Sequence, residues 1–505
     1  MEESETETAK AQDQPRLVIV SNRLPIVLNR NNQGVWEATR GSGGLVTAMA
    51  PVLRDRGGLW IGWPGTSDVP ADEIREALTK LGLKAGFTLD PVPLTEEERL
   101  KYYQGFSNEI IWPLFHDMIS RCNFDPSYWD CYRRVNGKFA QAVMDHHESR
   151  DFFWIHDYHL MLMAQELRAR GAKNRLGFFL HIPFPPLDIF VRAPWRRQIL
   201  KALLEFNLIG FQTMRDLKNF VACAQALIRG CSVEGEGYVM DLKCGKRTVR
   251  LGAFPVSIDF NEFADRAATK EVSDRAWTIH KHLPDRQIIL GIDRLDYTKG
   301  IIERLEAFRN ALIRYPDLQG KVVFVQVVVP SRREITEYSD LKIEIERLVG
   351  EINGQFTRAG WVPLHYIFRS LDRTELISYY RTAEIALITP LKDGMNLIAK
   401  EYCACSMEEN CVLILSEFAG AAAQFYQDAL LVNPFDIEGV AEAIYQAYHM
   451  PLQERRARMQ RLRASVKEQD IYWWVDSFLQ AAIAKDLESF PKIELDDYLP
   501  RYELV

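Results

Sequence analysis

Short runs of residues that are apolar on both faces alternate with longer amphipathic segments along this chain. That alternation restricts the fold more than any other feature. The runs are RLVIVSNR (16–23), GLWIGW (58–63), FFWIHDY (152–158), RLGFFLHI (175–182), LIGFQ (208–212), QIILGIDRLD (287–296), KVVFVQVVV (321–329), EIALITP (384–390), CVLILSE (411–417) and ALLVN (429–433). A strand with one wet face alternates polar and apolar side chains, whereas a parallel strand covered by helices on both sides need not. Amphipathic stretches such as 162–171 and 375–383 lie between them. The pattern predicts α/β architecture. The runs fall into two groups, one before about residue 258 and one after about 285, with 253–267 as the connector. Two Rossmann-like, doubly wound domains facing each other across a cleft are expected, with ligands at the carboxyl ends of the strands.

A chain of 505 residues exceeds one ordinary core, in keeping with two or three domains. With 47% hydrophobic and 26% charged residues it reads as a folded soluble protein. Residues 1–14 are polar and acidic and are expected to form a disordered tail; they lack the apolar stretch of a signal peptide. No apolar run approaches the roughly 20 residues of a membrane span, so no membrane partner is expected. The net charge of −7 argues against a nucleic-acid partner. The eight cysteines show no CxxC spacing. Zinc is therefore not expected, and buried free thiols in a reducing compartment are.

Polar residues gather where the apolar runs stop. The first run ends at Arg23, a hairpin tip follows at 31–34, and Gly41, Gly43 and Gly44 then open an apolar helix. Glycines there let an anion approach backbone N–H groups, although a bare structural turn explains them as well. WIHDYHLM places His156, Asp157 and His159 after a run. The alternatives are a metal site, a strand-end hydrogen-bond network, or an aspartate offered to a substrate hydroxyl. His181 ends GFFLHI before Pro183, Pro185 and Pro186; it is either a core histidine or a ligand contact. Arg294 and Lys299 follow QIILGID. Buried cations need anions: either a bound diphosphate or an internal pair with Asp293 or Asp296. Arg332 follows the next run, and PLKDGMNLIAKEY (390–402) turns at Asp393 and Gly394 into a helix expected over Met395–Tyr402. Glu401, two helical turns on, suits the two hydroxyls of a ribose.

In this order, SNR, GSGG, YYQGFSNEIIWPLFH, WIHDYHL, GFFLHIPFP, LIGFQT, RLDYTKG, VPSR, LKDGMNL, AKEY and SEFAGAA resemble the trehalose-6-phosphate synthase family of retaining glycosyltransferases with the GT-B fold, from about Arg16 to about residue 485. The resemblance implies transfer of glucose from a nucleotide sugar, UDP-glucose or another nucleoside-diphosphate glucose, to glucose 6-phosphate. It implies residue roles as well. Arg23 contacts both acceptor and donor phosphate, and Gly43 and Gly44 form the donor-side loop. Tyr103, Trp112 and Asp157 form the acceptor pocket, and Arg332 grips the acceptor phosphate. His181 lies beside the transferred glucose. Arg294 and Lys299 clamp the diphosphate. Asp393, Gly394, Met395, Asn396 and Leu397 hold glucose and diphosphate, and Glu401 takes the ribose. Leu371 stands where some relatives carry an aromatic residue near the base.

The implied boundaries are an acceptor domain at 15–257, rejoined by a helix at about 480–505, and a nucleotide-sugar domain at 258–479. No cofactor and no metal are implied, since two fixed cations can serve the leaving group. A cytoplasmic homo-oligomer is expected, with a separate phosphatase acting on the product. Two other readings are a relative that uses glycerol 3-phosphate and a non-catalytic regulatory homologue. The presence of Arg23, Asp157, Arg294, Lys299, Arg332, Asp393 and Glu401 counts against the last.

Overall fold

A computed structural model describes residues 16–31, 34–41, 49, 53–54, 57–331, 336–485, 487 and 490. Among them the chain divides into two compact units. One runs to Phe254 and resumes at Val475; the other spans Pro255–Trp474.

The first unit is built on a nine-stranded sheet. Its strands are Leu17–Arg23 (β1), Leu59–Trp63 (β4), Thr88–Pro91 (β5), Phe152–His156 (β6), Arg175–Phe179 (β7), Leu208–Phe211 (β8), Cys231–Glu234 (β9), Val239–Cys244 (β10) and Arg247–Ala253 (β11). Their order is β5-β4-β1-β6-β7-β8-β11-β10-β9. Pairing is parallel from β5 to β11 and antiparallel through β10 and β9. A separate hairpin joins Ile26–Arg30 (β2) to Trp36–Arg40 (β3), where the sequence places a hairpin tip. The central strands β4 and β6 are buried at every residue, as strands covered on both faces must be.

A helix at Ile471–Ile483 closes one face of this sheet. Phe478 lies flat on Trp154, with ring centroids 4.3 Å apart and planes 4° apart. Glycines make room for it: a Cβ at Gly177 or Gly210 would come within 2.9 Å or 2.8 Å of its ring. Most of 480–505 lies outside the described residues.

The second unit carries a six-stranded, wholly parallel sheet. Its strands are Gln287–Arg294 (β12), Val322–Val329 (β13), Leu364–Ile367 (β14), Ile385–Ile388 (β15), Val412–Ser416 (β16) and Leu430–Val432 (β17), in the order β14-β13-β12-β15-β16-β17. Part of the expected connector is already helical, at Phe260–Ala267.

The cysteine expectation needs one correction. Antiparallel register sets Cys231 of β9 directly opposite Cys244 of β10, and the two form a disulfide. Of the rest, Cys131, Cys223, Cys403, Cys405 and Cys411 are buried free thiols and Cys122 is half-buried. Among the described residues no helix is long and apolar enough to cross a membrane.

Candidate active site

Each sheet contains a point where the chain reverses its direction of strand addition. In the first unit β4 and β5 are added on one side of β1, whereas β6, β7 and β8 are added on the other. In the second unit β13 and β14 lie on one side of β12, and β15 to β17 lie on the other. Loops diverge at such a point and leave a crevice beyond the strand ends, which is where open α/β sheets bind ligands. Among the described residues, Arg23, Asp157 and His181 follow the strands at or beside the first point, and Arg294, Lys299 and Asp393 follow those at the second.

At the first, β1 ends in Arg23, whose side chain is exposed. Its guanidinium lies 4.4 Å from the centre of the Trp63 ring, at the end of neighbouring β4, and 5.8 Å from that of Tyr103. Gly65, with φ 95°, admits this stack, since a Cβ there would meet Arg23 Nη1 at 2.1 Å. A cation over aromatic faces is drawn to their negative faces and held in place.

Asp157 follows β6 with φ 75°, a backbone conformation that strains a non-glycine residue. The backbone N–H of Asp157 donates to Phe179 O of β7 at 2.8 Å. Its Oδ1 accepts from Tyr158 N at 3.0 Å and His181 N at 3.2 Å. One carboxylate thus ties the ends of two adjacent strands and fixes its own direction.

The aromatic residues come from a π-helical segment, Arg99–Ile111, and the turn after it, Trp112–Phe115. Tyr103 stacks on His159, centroids 5.9 Å apart, and Trp112 packs 5.9 Å from Tyr158. Asn108, buried on the same segment, donates to Tyr103 O at 2.7 Å and accepts from Tyr158 OH at 3.1 Å. It joins the aromatic wall to the Asp157 turn.

His181 is buried at the end of β7, and its Nε2 lies 3.1 Å from His156 Nδ1. Burial pushes His181 down to about 3 and holds His156 well below the ordinary imidazole value, with His181 itself adding to the depression. Both rings are therefore neutral near pH 7, one donating to the other. Among the described residues no group of three or more His, Cys, Asp or Glu side chains is arranged to hold a metal.

At the second point β12 ends in exposed Arg294, which has no ion-pair partner among the described residues. Lys299 follows on a short turn. Its Nζ donates to Asp393 Oδ2 at 2.6 Å, and both side chains are 11% exposed. This partner is neither of those the sequence offers. Asp296 Oδ1 instead accepts from Thr298 N and Oγ1, and Asp293 pairs with Arg304. Gly300, with φ 61°, lets the β12 loop press on the β15 loop: a Cβ would meet Thr389 O at 2.3 Å.

Beyond β15, Asp393 Oδ1 accepts from Met395 N at 3.2 Å and Oδ2 accepts from Asn396 Nδ2 at 3.3 Å. The helix begins later than expected, at Leu397, and ends at Cys405. Met395 and Asn396 precede it because Asn396 adopts φ 67° and caps it, accepting from Ala399 N at 3.2 Å. Gly394 is backed by Gly420 of the SEFAGAA segment, where a Cβ would lie 1.8 Å from Gly394 O. Cations and open N–H groups at a helix start are the chemistry that holds a phosphate. One and a half turns up that helix, half-buried Glu401 accepts from Tyr380 OH at 2.8 Å. Burial raises its carboxyl, while Arg373 and the Tyr380 hydroxyl pull the other way. Leu371 is half-buried against the core, just before Asp372, the N-cap of the helix Arg373–Thr382.

Gly43, Gly44 and Arg332 lie outside the described residues. Sequence reasoning misses Trp63, Asn108 and Arg304. Trp63 leaves a trace as the last residue of an apolar run beside that of Arg23, and Asn108 stands inside the motif YYQGFSNEIIWPLFH without being singled out.

Relatives show the same organisation along nearly the whole chain. Trehalose-6-phosphate synthases from Mycolicibacterium vanbaalenii and Mycolicibacterium smegmatis are 42% and 41% identical to it. The first alignment covers 93% of this chain and 96% of that protein, the second 92% of each. A crystal structure of a UDP-forming α,α-trehalose-phosphate synthase from Burkholderia xenovorans, in complex with glucose 6-phosphate, superposes with a TM-score of 0.83 at 35% identity. It covers 93% of this chain and 100% of that one. An E. coli structure with UDP-2-fluoro glucose bound gives 0.82 at 35% identity, over 92% and 98% of the two chains. The sequence matches the family described as glycosyltransferase family 20 over residues 15–484. This chain, a GT-B protein by its likeness to those structures, belongs to glycosyltransferase family 20.

Proposed function

We infer that this chain is an α,α-trehalose-phosphate synthase: it transfers glucose from UDP-glucose to glucose 6-phosphate with retention, releasing trehalose 6-phosphate and UDP. The observation that carries the reading is the presence of two unlike strand-end sites in one family member. One is an aromatic and carboxylate surface suited to a sugar ring, and the other brings exposed Arg294 at the end of β12 and Lys299, held by Asp393 before a helix start, as cations suited to a diphosphate. The relatives named above bear the same activity in their names, which sets aside the glycerol 3-phosphate and non-catalytic readings.

The residue roles we propose are those that the family resemblance implies. Asp157 accepts hydroxyls of the acceptor sugar, whose apolar face rests on Tyr103 and Trp112. Arg23 and Arg332 grip its phosphate. Neutral His181 hydrogen-bonds the transferred glucose without adding charge. Gly43, Gly44 and the Asp393–Leu397 loop, with Gly394, Met395 and Asn396, hold the donor, and Glu401 takes the ribose. Arg294 and Lys299 stabilise the charge that grows on the leaving diphosphate.

Retention without an enzyme nucleophile requires the acceptor hydroxyl to attack on the face from which the phosphate leaves. The C1–O bond to phosphate breaks as the new C1–O bond forms, and the acceptor proton passes to the leaving phosphate oxygen. The chain's share is positioning and electrostatics. The acceptor part is assigned to 15–257 and the donor part to 258–479, in a cytoplasmic homo-oligomer whose product passes to a separate phosphatase. The test is nucleotide release across a panel of donors and acceptors, with products identified by NMR. An α,α-1,1-linked disaccharide phosphate is expected; predominant glucosylglycerol phosphate overturns the acceptor.

A further inference from the structure

Arg304 lies on the helix Ile301–Arg314, one turn after Gly300, on the face that also buries Leu305, Phe308 and Leu312. Its side chain is wholly buried. A buried guanidinium must satisfy its donors, and this one does so across four separate places in the second unit. Nε donates to Thr389 Oγ1 at the end of β15, at 3.0 Å. Nη1 donates to Asp293 Oδ2 near the end of β12 and, at 3.2 Å, to Gln326 Oε1 of β13. Nη2 donates to the backbone carbonyl of Lys299, at 3.0 Å. The sheet makes room for the fork at Gly291, where a Cβ would sit 3.0 Å from Nη1 and 2.5 Å from Gln326 Oε1.

The arrangement binds together the parts that carry the two cations of the site. Asp293 immediately precedes Arg294, and Lys299 is held by its own carbonyl. Thr389 opens the loop after β15 that brings Asp393 to Lys299 Nζ. We propose that Arg304 is a positioning residue that fixes the Arg294 and Lys299 backbones against the β15 loop, so that both cations meet a diphosphate without rearrangement. The proposal rests on the reading of Arg294 and Lys299 as the diphosphate clamp. A guanidinium is required because its planar fork reaches the strand-end hydroxyl, the carboxylate and the carbonyl at once. A lysine in its place supplies the charge that Asp293 needs but only a single point of attachment. A role confined to neutralising Asp293 would therefore be met by lysine.

The experiment measures binding of UDP and of uridine by calorimetry, and KM for glucose 6-phosphate, on the full chain. Arg304→Lys is expected to weaken UDP about tenfold, the scale of a lost charge-assisted hydrogen bond, while uridine affinity and acceptor KM stay at wild type. Thr389→Val, which removes one anchor of the fork, should move UDP in the same direction by about threefold. It decides the matter if Arg304→Lys does not fold. Wild-type UDP affinity in Arg304→Lys, or a parallel loss of UDP and uridine, overturns the proposal. Lys299→Ala separates the two layers. If it weakens UDP while Arg304→Lys and Thr389→Val do not, only the positioning role fails. If Lys299→Ala itself leaves UDP affinity intact, the clamp reading is wrong and the positioning role falls with it.

Discussion

The ends of β1, β6 and β7 and the ends of β12 and β15 occupy the same topological position in their sheets, yet they are furnished with opposite chemistry. The first carries one arginine laid over two aromatic rings, an aspartate in a strained backbone conformation and two histidines kept neutral by burial. The second carries an exposed arginine, a lysine hydrogen-bonded to Asp393, and a buried arginine beneath them. A topological crevice thus fixes where a ligand sits, and side-chain chemistry fixes which ligand. A polyhydroxy ring wants a flat apolar wall and a few directed acceptors, while a diphosphate wants cations already in place.

The sharpest way to break this contrast is to remove the cations. Lys299→Ala and Arg294→Ala should each lower kcat by about 10²–10³, the cost of losing one donor aimed at developing charge. Arg294→Ala should leave the melting temperature almost unchanged, because its side chain is exposed. Lys299→Ala leaves Asp393 without its 2.6 Å partner and should cost some stability as well. Near-normal turnover in both variants would remove the diphosphate clamp and leave Lys299 with only its structural pairing to Asp393.

Asp157→Asn probes the other region. Tyr158 N and His181 N both donate to the one oxygen Oδ1, so an amide oxygen can keep both bonds, and what the change removes is the charge and the second acceptor oxygen. The expected loss is about 10–100-fold in kcat/KM for glucose 6-phosphate, the scale of a charge-assisted hydrogen bond, with donor KM unchanged. A donor-side effect of equal size would show that Asp157 serves both substrates.

The α/β class was legible because β4, β6 and their neighbours are buried on both faces and must be apolar throughout. The strand-end residues were legible too, since a polar residue that stops an apolar run has few other places to go. Arg304 was not. It stands beside Glu303 on an amphipathic helix, and its burial depends on Asp293 of β12, Gln326 of β13 and Thr389 just beyond β15. The β9–β11 ladder was missed because half-buried charges such as Lys243 and Arg247 break the apolar pattern. Without that register the Cys231–Cys244 pairing could not be seen. The late start of the helix at Leu397 turns on one left-handed residue, Asn396, a conformation that propensity alone does not announce.

Acid should strike the two regions unequally. A histidine held neutral in the fold has a folded value below its unfolded value of about 6.5. Below that pH the unfolded chain binds a proton that the native state refuses, so stability falls as pH drops. For His181 the loss continues to about pH 3; at pH 5 it amounts to about 2 kcal/mol. His156 adds to it in the same direction. His280 works the other way: Glu384 raises it, so its contribution is complete below about 6.5 and is lost as pH rises through its folded value. Hydrogen exchange at pH 7 and pH 5, corrected for intrinsic rates, should show 152–160 and 175–182 losing protection while 287–294 and 385–388 change little. Equal loss in both sets would mean that the histidine pair does not set the acid response.

The smallest effect is expected at Leu371. The backbone around it is fixed from both sides: Asp372 Oδ1 accepts from Glu375 N at 2.7 Å, and Arg369 pairs with Glu375 at 2.6 Å. The side chain can therefore change without moving the segment. An aromatic ring in place of the half-buried leucine offers a face on which a nucleotide base can stack, a gain of about 1 kcal/mol or roughly fivefold in affinity. Leu371→Phe should lower donor KM by no more than that factor and leave kcat and acceptor KM alone, since the base stays remote from the bond that breaks. Purine donors should gain more than UDP-glucose, because their π-face is larger. The measurement is KM for UDP-, ADP- and GDP-glucose in both proteins. Unchanged ratios would place the base away from residue 371 and leave the donor's diphosphate as the feature that this unit reads.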